Sequence, residues 1–152
     1  MKLFIALLTF MASSMGYANC TFIVSYDPDL RKVVHANKGW NIEEEKYNKI
    51  CNRLNSANLG VHFNQLSMIS HSASVAAIFI NFYPLDVEKK YGKMVLTSAG
   101  YGSMYTDTMR TTATLDAVRY DTGNKVLLNI LENEKTWKDV IDQATFIRKN
   151  IK

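Results

Sequence analysis

The stretch that decides the fold is residues 75–82, which read Val75-Ala76-Ala77-Ile78-Phe79-Ile80-Asn81-Phe82. All of these residues except Asn81 are apolar, so both alternating faces of the run are apolar. A short run of this kind, rich in β-branched and aromatic residues, is typical of a strand in the middle of a sheet. Residues 84–86, Pro-Leu-Asp, are predicted to end the strand because proline cannot donate a hydrogen bond to a neighbouring strand.

Segments on both sides of this run have the composition of further strands. Residues 61–66 alternate between apolar and polar side chains, and residues 21–26 are β-branched and aromatic. Residues 94–97 are predicted to begin another strand, which runs into the glycine-containing stretch at 100–103. Alternation with a period of two residues predicts strands with one buried face.

Two helices are predicted between residues 27 and 58. For the first, Asp27 suits the N-cap, Pro28 suits the first helical position and Gly39 suits the left-handed residue that ends a helix. The second is predicted to start at Asn41, which Glu44 follows at the spacing of a capping box. Its apolar face consists of Ile42, Tyr47, Ile50, Cys51, Leu54 and Ala57.

A third helix is predicted at the C-terminus, with Thr136 as its cap. Apolar residues recur there at helical spacing, and basic residues follow at the end where the helix dipole favours cations. The apolar stripe is Trp137, Val140, Ile141, Ala144, Ile147 and Ile151, and the basic residues are Arg148, Lys149 and Lys152.

Residues 108–132 fit two interpretations. Residues 113–117 alternate, and residues 120–125 have hairpin chemistry with Gly123 able to adopt a positive φ, so residues 126–131 would be the returning strand. The apolar residues Val126, Leu127, Ile130 and Leu131 also fit a helix, so the segment could instead form two helices. We adopt the hairpin as the prediction and keep the helices as the alternative.

Together these segments predict a single α+β domain over residues 19–152. We expect a mostly antiparallel β-sheet, with helices from the N-terminal half and the C-terminus packed on one face. The chain shows no internal repeat, low-complexity segment or linker rich in proline and glycine.

Residues 1–18 have the three-part pattern of a secretory signal peptide. Lys2 is followed by about ten apolar residues, and Gly16 and Ala18 stand at the small-residue positions before a cleavage site. The apolar run is too short to span a bilayer, which needs about 20 residues. The sequence therefore predicts export to the periplasm or the medium, with no transmembrane segment after cleavage.

Cys20 and Cys51 are the two cysteines of the chain. An even pair in an exported protein is typical of a disulfide. The bond would tie the mature N-terminus to the second predicted helix.

Charge and histidine placement make several functions poor fits. The 18 basic and 14 acidic residues are scattered, without the basic stripe that nucleic-acid binding requires. His35, His62 and His71 lack the spacing of a helical metal site, so we predict no metal, no cofactor and no nucleic-acid partner. No catalytic residue is predicted, because the sequence has no nucleophile elbow and Ser70-His71-Ser72 cannot pair as neighbours.

The stretch from Gly100 to Tyr105 supplies the candidate contact surface. Glycines inside a strand often mark a bulge or a close approach of backbone. Tyr101 and Tyr105, with Arg110 nearby, are the candidate residues for contact with a partner side chain or a sugar ring. The alternative is ordinary packing of the two tyrosines on a half-buried sheet.

These observations favour a non-enzymatic exported binding protein with a protein partner in the cell envelope or extracellular space. An inhibitor, an immunity-type protein or an envelope accessory protein would fit. One alternative is a small exported hydrolase in which His71 is the general base. Another is a carrier of a small ligand, with a pocket between helices and sheet.

Overall fold

The structure is a computed structural model that describes residues 20–151, so the predicted leader lies outside the described residues. Four strands and five helices make up the described part. In chain order they are β1 (Val24–Ser25), α1 (Pro28–Ala36), α2 (Glu44–Ser56), β2 (Leu59–Ile69), β3 (Ser74–Pro84), α3 (Leu85–Tyr91), β4 (Gly100–Asp107), α4 (Thr112–Glu132) and α5 (Glu134–Asn150).

The strands form one sheet in the order β1-β2-β3-β4. Strand β3 lies inside the sheet, as its doubly apolar sequence predicts, and is antiparallel to both β2 and β4. Strand β1 runs parallel to β2, with Val24 opposite Val61. The sheet is therefore mixed, although its long strand pairs are antiparallel as expected.

The helices pack on the sheet and confirm the predicted α+β fold. The positions of β3 that point toward the helices are Ala76, Ile78, Ile80 and Phe82, each fully buried. Leu127 and Ile130 of α4 and Val140 and Ala144 of α5 join them in one core. Packing of this kind removes apolar side chains from water at about 25 cal/mol per Å² and is the main stabilising contribution to the fold.

The ends of α1 follow the predicted signals with one correction. Asp27 accepts a hydrogen bond from the Asp29 backbone N–H at 2.9 Å and is the N-cap, as expected. At the other end the left-handed residue is Lys38, with φ 58°, while Gly39 follows at φ 117°. The N–H groups of Lys38 and Gly39 bond the carbonyls of His35 and Val34, which is the Schellman pattern and fixes the left-handed residue one position earlier than predicted.

The starts of α2 and α5 also differ from prediction. The structure begins α2 at Glu44 with Glu43 as its cap residue, because the Asn41 N–H donates to the Asn124 side chain of α4 instead of starting a helix. Helix α5 begins at Glu134, and its N-cap is Asn133, whose side chain accepts from the Thr136 N–H. Of the predicted apolar faces, Ile50, Cys51 and Leu54 of α2 and Val140, Ala144 and Ile147 of α5 are buried, and the other members are partly buried.

The connection from β3 to β4 is where the strand predictions were wrong. Residues 85–91 form α3, whereas the sequence predicts only the end of a strand there, and residues 94–97 are irregular. The Thr97 hydroxyl accepts from the Phe82 N–H and donates to the Ala99 carbonyl, and the Thr97 N–H donates to the Phe82 carbonyl. These bonds attach the irregular segment to β3, and regular pairing begins only at Gly100. The predicted strand at 21–26 is likewise reduced to its central residues, Val24–Ser25.

The predicted hairpin within residues 108–132 is wrong, and the helical alternative is right in type, although one helix replaces the two. The turn-forming residues lie inside α4. The Thr122 hydroxyl donates to the Val118 carbonyl and the Asn124 amide donates to the Tyr120 carbonyl, so both side-chain donors are satisfied within the helix. Gly123 is needed for packing, since a Cβ atom there would lie 2.6 Å from the Trp40 ring.

The predicted disulfide between Cys20 and Cys51 is present, with their Cα atoms 6.0 Å apart. It fixes the first described residue to the buried side of α2. Among the helices of residues 20–151, none combines the length and the apolar character that crossing a membrane requires.

Candidate functional site

The face of the sheet that points away from the core is open to solvent across β2, β3 and β4. Because side chains alternate along a strand, every second residue belongs to this face. We call these residues the open face. They are His62, Asn64, Leu66 and Met68 of β2, Val75, Ala77, Phe79 and Asn81 of β3, and Gly100, Gly102, Met104 and Thr106 of β4.

Large apolar side chains are gathered on one half of the open face. Leu66, Ala77 and Met104 lie opposite one another on adjacent strands. The exposed fractions of Leu66, Phe79 and Met104 are 62%, 54% and 66%, and that of Met68 is 48%. Ala77 lies between Leu66 and Met104, and Val75 lies opposite Met68, so the large side chains and these two smaller ones form one continuous apolar patch. A contiguous exposed apolar patch is typical of an interaction site, whereas single exposed apolar residues are ordinary.

Phe79 is held in place by a glycine on the next strand. Gly102 lies directly opposite Phe79, and a Cβ atom on Gly102 would lie 2.7 Å from two atoms of the Phe79 ring. The ring therefore lies over the glycine backbone and keeps one broad side toward solvent. A Cβ atom at Gly100 would overlap the Ile80 carbonyl, so the close backbone approach expected for these glycines is present.

The other half of the open face is polar and internally bonded. His62 Nε2 lies 3.1 Å from Asn64 Oδ1, and the Asn64 amide donates to Asn81 Oδ1 at 3.2 Å. The Asn81 amide in turn donates to the Thr97 carbonyl at 3.0 Å. The chain of bonds borders the apolar patch with oriented polar groups, as the polar rim of a protein interface does.

The two predicted tyrosines take different environments. Tyr101 is only 6% exposed; its ring packs edge-on against Phe82, and its hydroxyl donates to the Asn133 carbonyl at 3.1 Å. Burial raises the pKa of Tyr101 to about 12, although the nearby Arg53 guanidinium opposes the rise. Tyr105 is 46% exposed but lies on the helix-facing side of β4. Tyr101 therefore packs in the core and Tyr105 points away from the open face.

Arg110 lies beyond the end of β4, and its guanidinium donates to the His71 carbonyl at 2.6 Å. This bond ties the segment before α4 to the tight turn between β2 and β3. The structure therefore separates Arg110 from Tyr101 by most of the length of β4.

His71 lies exposed in that turn. The Ser70 hydroxyl is engaged with the backbone of Ala73, both as donor and as acceptor. Hydrogen bonds and ion pairs within residues 20–151 join the His71 imidazole to no serine and no carboxylate. No three His, Cys, Asp or Glu side chains converge as a metal site in this part of the chain.

A cleft, separate from the open face, lies beside the disulfide. A cleft of about 550 Å³ opens between the chain leading into β1, the end of α1 and the start of α2. Its lining is rich in aromatic side chains, which are Phe22, Tyr26, Trp40 and Tyr47. Burial raises the pKa of both Tyr26 and Tyr47, so their hydroxyls are neutral donors and acceptors near neutral pH. Lys38 and Glu44 are the charged residues of the lining.

The aromatic side chains that line this cleft pack against other aromatic rings. Trp40 is stacked between Phe63 and Tyr120, at centroid distances of 5.3 and 6.3 Å, and Tyr26 stacks on Phe63 at 5.4 Å. Phe22 packs against Tyr47 on the opposite side. The disulfide at Cys20 holds the Phe22 side of the cleft to α2.

Sequence reasoning missed the open face, although a signal for it existed. Residues 75–82 are apolar on both faces, which is typical of a strand covered on both sides. The prediction of helices on one face only leaves Val75, Ala77 and Phe79 without cover. That mismatch between a doubly apolar strand and a single helical layer marks the site.

Comparison of the chain with protein-family models, with curated proteins and with solved structures gives no match.

Proposed function

We propose that this chain is an exported, disulfide-stabilised binding protein that contacts a protein partner through its open face. The observation that carries the proposal is the continuous patch of Leu66, Met68, Phe79 and Met104, each about half exposed or more. Leaving these side chains in water forgoes the stabilisation that burial would give, on the order of 1 kcal/mol or more for each. A binding partner recovers that free energy.

The proposed export rests on two features. The first 18 residues have the pattern of a cleaved leader, and the Cys20–Cys51 disulfide is compatible with an oxidising compartment. A periplasmic or secreted protein of this size that binds another protein would act as an inhibitor, an immunity-type protein or an accessory part of an envelope assembly. The proposal involves no catalytic step and no cofactor.

The test is retention of a partner by mature protein with its disulfide intact. The protein is immobilised and exposed to an envelope extract of the producing organism, and retained proteins are identified by mass spectrometry. The pair Leu66→Ser and Met104→Ser removes two of the four large apolar side chains of the patch, and Phe146→Ser is the matched control because Phe146 is 67% exposed on α5, away from the sheet. We expect a stoichiometric partner that the wild type and the control retain and the double variant loses. Equal retention by all three would overturn the proposal.

The aromatic cleft favours a second function, that of a small-ligand carrier. Its volume of about 550 Å³ lies in the range of ligand sites, and its aromatic walls with a few polar groups have the usual composition of such sites. Binding would change the environment of Trp40, so the test is Trp fluorescence during titration with extracted small molecules, with Trp137→Phe isolating the Trp40 signal. No change in emission with any extract fraction would reject this function.

A further inference from the structure

We propose that the open face receives a single amphipathic α-helix of the partner protein, lying along the strands. This inference rests on the proposed function and specifies the partner's chemistry.

First, within residues 20–151, helices cover only one face of the sheet. Strand β3 has large or small apolar residues on both sides, and the helices α4 and α5 cover only the side that carries Ile78 and Ile80. The other side presents Val75, Ala77 and Phe79. A strand of this composition is typical of sheets with helices on both faces. One helix on the open face would complete that arrangement.

The second step is size. The open face extends over seven residues of each of three strands, which is about 24 Å by about 14 Å, or roughly 340 Å² of flat area, at the usual rise and spacing of strands. A stable interface between two folded subunits buries about 800 Å² on each partner. A helix is about 10 Å wide, and about 16 residues of helix span 24 Å. The face therefore has the width of one helix and is small for a second copy of the chain.

The third step is charge. None of the twelve residues of the open face is Asp, Glu, Lys or Arg. The contacting side of the partner helix must then be uncharged as well, because a charge brought onto this face would lose its water without gaining an opposite charge. The same composition argues against a membrane surface as the occupant, since attachment to anionic lipids uses Lys and Arg beside the apolar contact.

The fourth step is the chemistry of the individual side chains. Phe79 is a rigid aromatic held over Gly102, which suits a central anchor. Met104 lies diagonal to it, opposite Ala77, and Met68 lies further along the face, opposite Val75. Their unbranched side chains adjust to the ridges of a helix better than branched ones do. The hydrogen-bonded side chains of His62, Asn64 and Asn81 border the anchor on one side.

The test is site-specific photo-crosslinking in the producing cells. A benzoylphenylalanine is placed at Leu66, Met68 or Met104 of the full chain, Phe79 is left intact, and the same group at Phe146 is the control. Adducts are mapped to partner residues by mass spectrometry. Leu66 and Met68 are neighbouring outward positions about 7 Å apart, which corresponds to four or five residues along a helix and two along a strand.

We expect adducts from all three sites to fall within one partner segment, at residues three, four, seven or eight positions apart. A synthetic peptide of that segment should bind the mature protein with a gain of helical circular dichroism. Phe79→Ala should weaken the peptide's binding by at least about tenfold, whereas Phe146→Ala should change it by less than about twofold.

Other outcomes overturn the inference in distinguishable ways. Partner adducts two residues apart, or scattered over several segments, would reject the helix and keep the protein partner. Adducts to this chain itself would show a second copy on the face, and adducts to lipid would show a membrane; both reject the helix. Yields at all three sites no higher than at Phe146 would reject the proposed function together with the inference.

Discussion

The indole ring of Trp40 occupies the space that a side chain at residue 123 would need. A Cβ atom built on Gly123 would lie 2.6 Å from Trp40 Cζ3, and the Tyr120 ring stacks on the same indole. Helix α4 and the loop after α1 therefore approach each other only because residue 123 has no side chain.

This contact reverses the usual effect of replacing a helical glycine. Gly→Ala inside a helix normally stabilises it by about 1 kcal/mol. For Gly123→Ala we expect destabilisation of about 1–3 kcal/mol, because the added methyl overpacks the Trp40 contact. Urea unfolding of the mature protein measures it, and Asp121→Ala, at an exposed position of α4, is the control. A stabilising Gly123→Ala would show that the indole moves aside without cost.

A second prediction about stability concerns Lys38, the left-handed residue at the end of α1. Lys38 holds φ 58°, a conformation that costs a residue with a side chain about 1 kcal/mol. Lys38→Gly should therefore stabilise the protein by about 0.5–1 kcal/mol, measured by thermal and urea unfolding. Lys32→Gly, within α1, should instead destabilise it by a similar amount. No gain from Lys38→Gly would mean that the lysine side chain contributes a contact of equal free energy.

The disulfide sets the stability of the N-terminal segment. Replacing Cys20 and Cys51 together by Ser removes a cross-link over a sequence separation of 31 residues, which the chain-entropy model values at about 4 kcal/mol. The double variant should lose that free energy of unfolding in urea. It should also show faster hydrogen exchange at Val24 and Ser25, because β1 is held to the sheet by only two residue pairs. If hydrogen exchange at Val24 and Ser25 did not change, side-chain packing and not the disulfide would be what holds β1 in place.

Burial of Tyr101 predicts a loss of stability at alkaline pH. Its pKa in the folded protein is about 12, above the ordinary value of 10.0, because burial disfavours the phenolate. A group whose pKa is raised by folding stabilises the fold fully below its unfolded pKa, and this contribution is lost as pH rises through the folded pKa. Stability should therefore decline between about pH 10 and pH 12.

The variant Tyr101→Phe isolates this effect. It should cost about 1 kcal/mol at pH 7, through loss of the bond to the Asn133 carbonyl, and should show a smaller decline from pH 10 to pH 12. Tyr105→Phe, at an exposed site, is the control and should keep the decline of the wild type. Urea unfolding at a series of pH values measures both. Parallel pH curves for Tyr101→Phe and wild type would show that other tyrosines, such as Tyr83, govern the alkaline loss.

Much of the fold followed from local patterns in the sequence. The doubly apolar run at β3, the capping residue Asp27 and the apolar stripes of α2 and α5 each depend on residues close in sequence. Hydrophobic period and capping chemistry describe such segments well, because the same residues that form the element also bury its face.

The secondary-structure predictions were wrong where contacts between residues distant in sequence determine the local conformation. Thr122, Gly123 and Asn124 have the composition of a turn, yet Trp40 and Asn41 stabilise them inside α4. Residues 94–97 have the composition of a strand, yet Thr97 satisfies the backbone of Phe82 in an irregular conformation. In each place a tertiary contact outweighed the local preference.

The sequence of β3 signals an uncovered apolar face, but the residues that form the candidate site could not be assigned from local patterns, for a related reason. Alternation assigns Leu66 and Met104 to one face of the sheet, but it does not say which face the helices cover. Tyr101 is an aromatic residue in a glycine-rich stretch, which made it a candidate contact residue. It packs against Phe82 because the helices cover its face of the sheet, and local patterns do not predict which face is covered.

The parallel pairing of β1 with β2 bears on the kinetics of folding. Val24 and Val61 are separated in sequence by α1 and α2, so their contact closes a long loop, and the entropy cost of that closure slows the pairing. With Cys20 already bonded to Cys51, most of that loop is closed before folding begins. The oxidised chain should therefore refold faster than the reduced one. In the oxidised chain, β1 should pair with β2 early in folding instead of last.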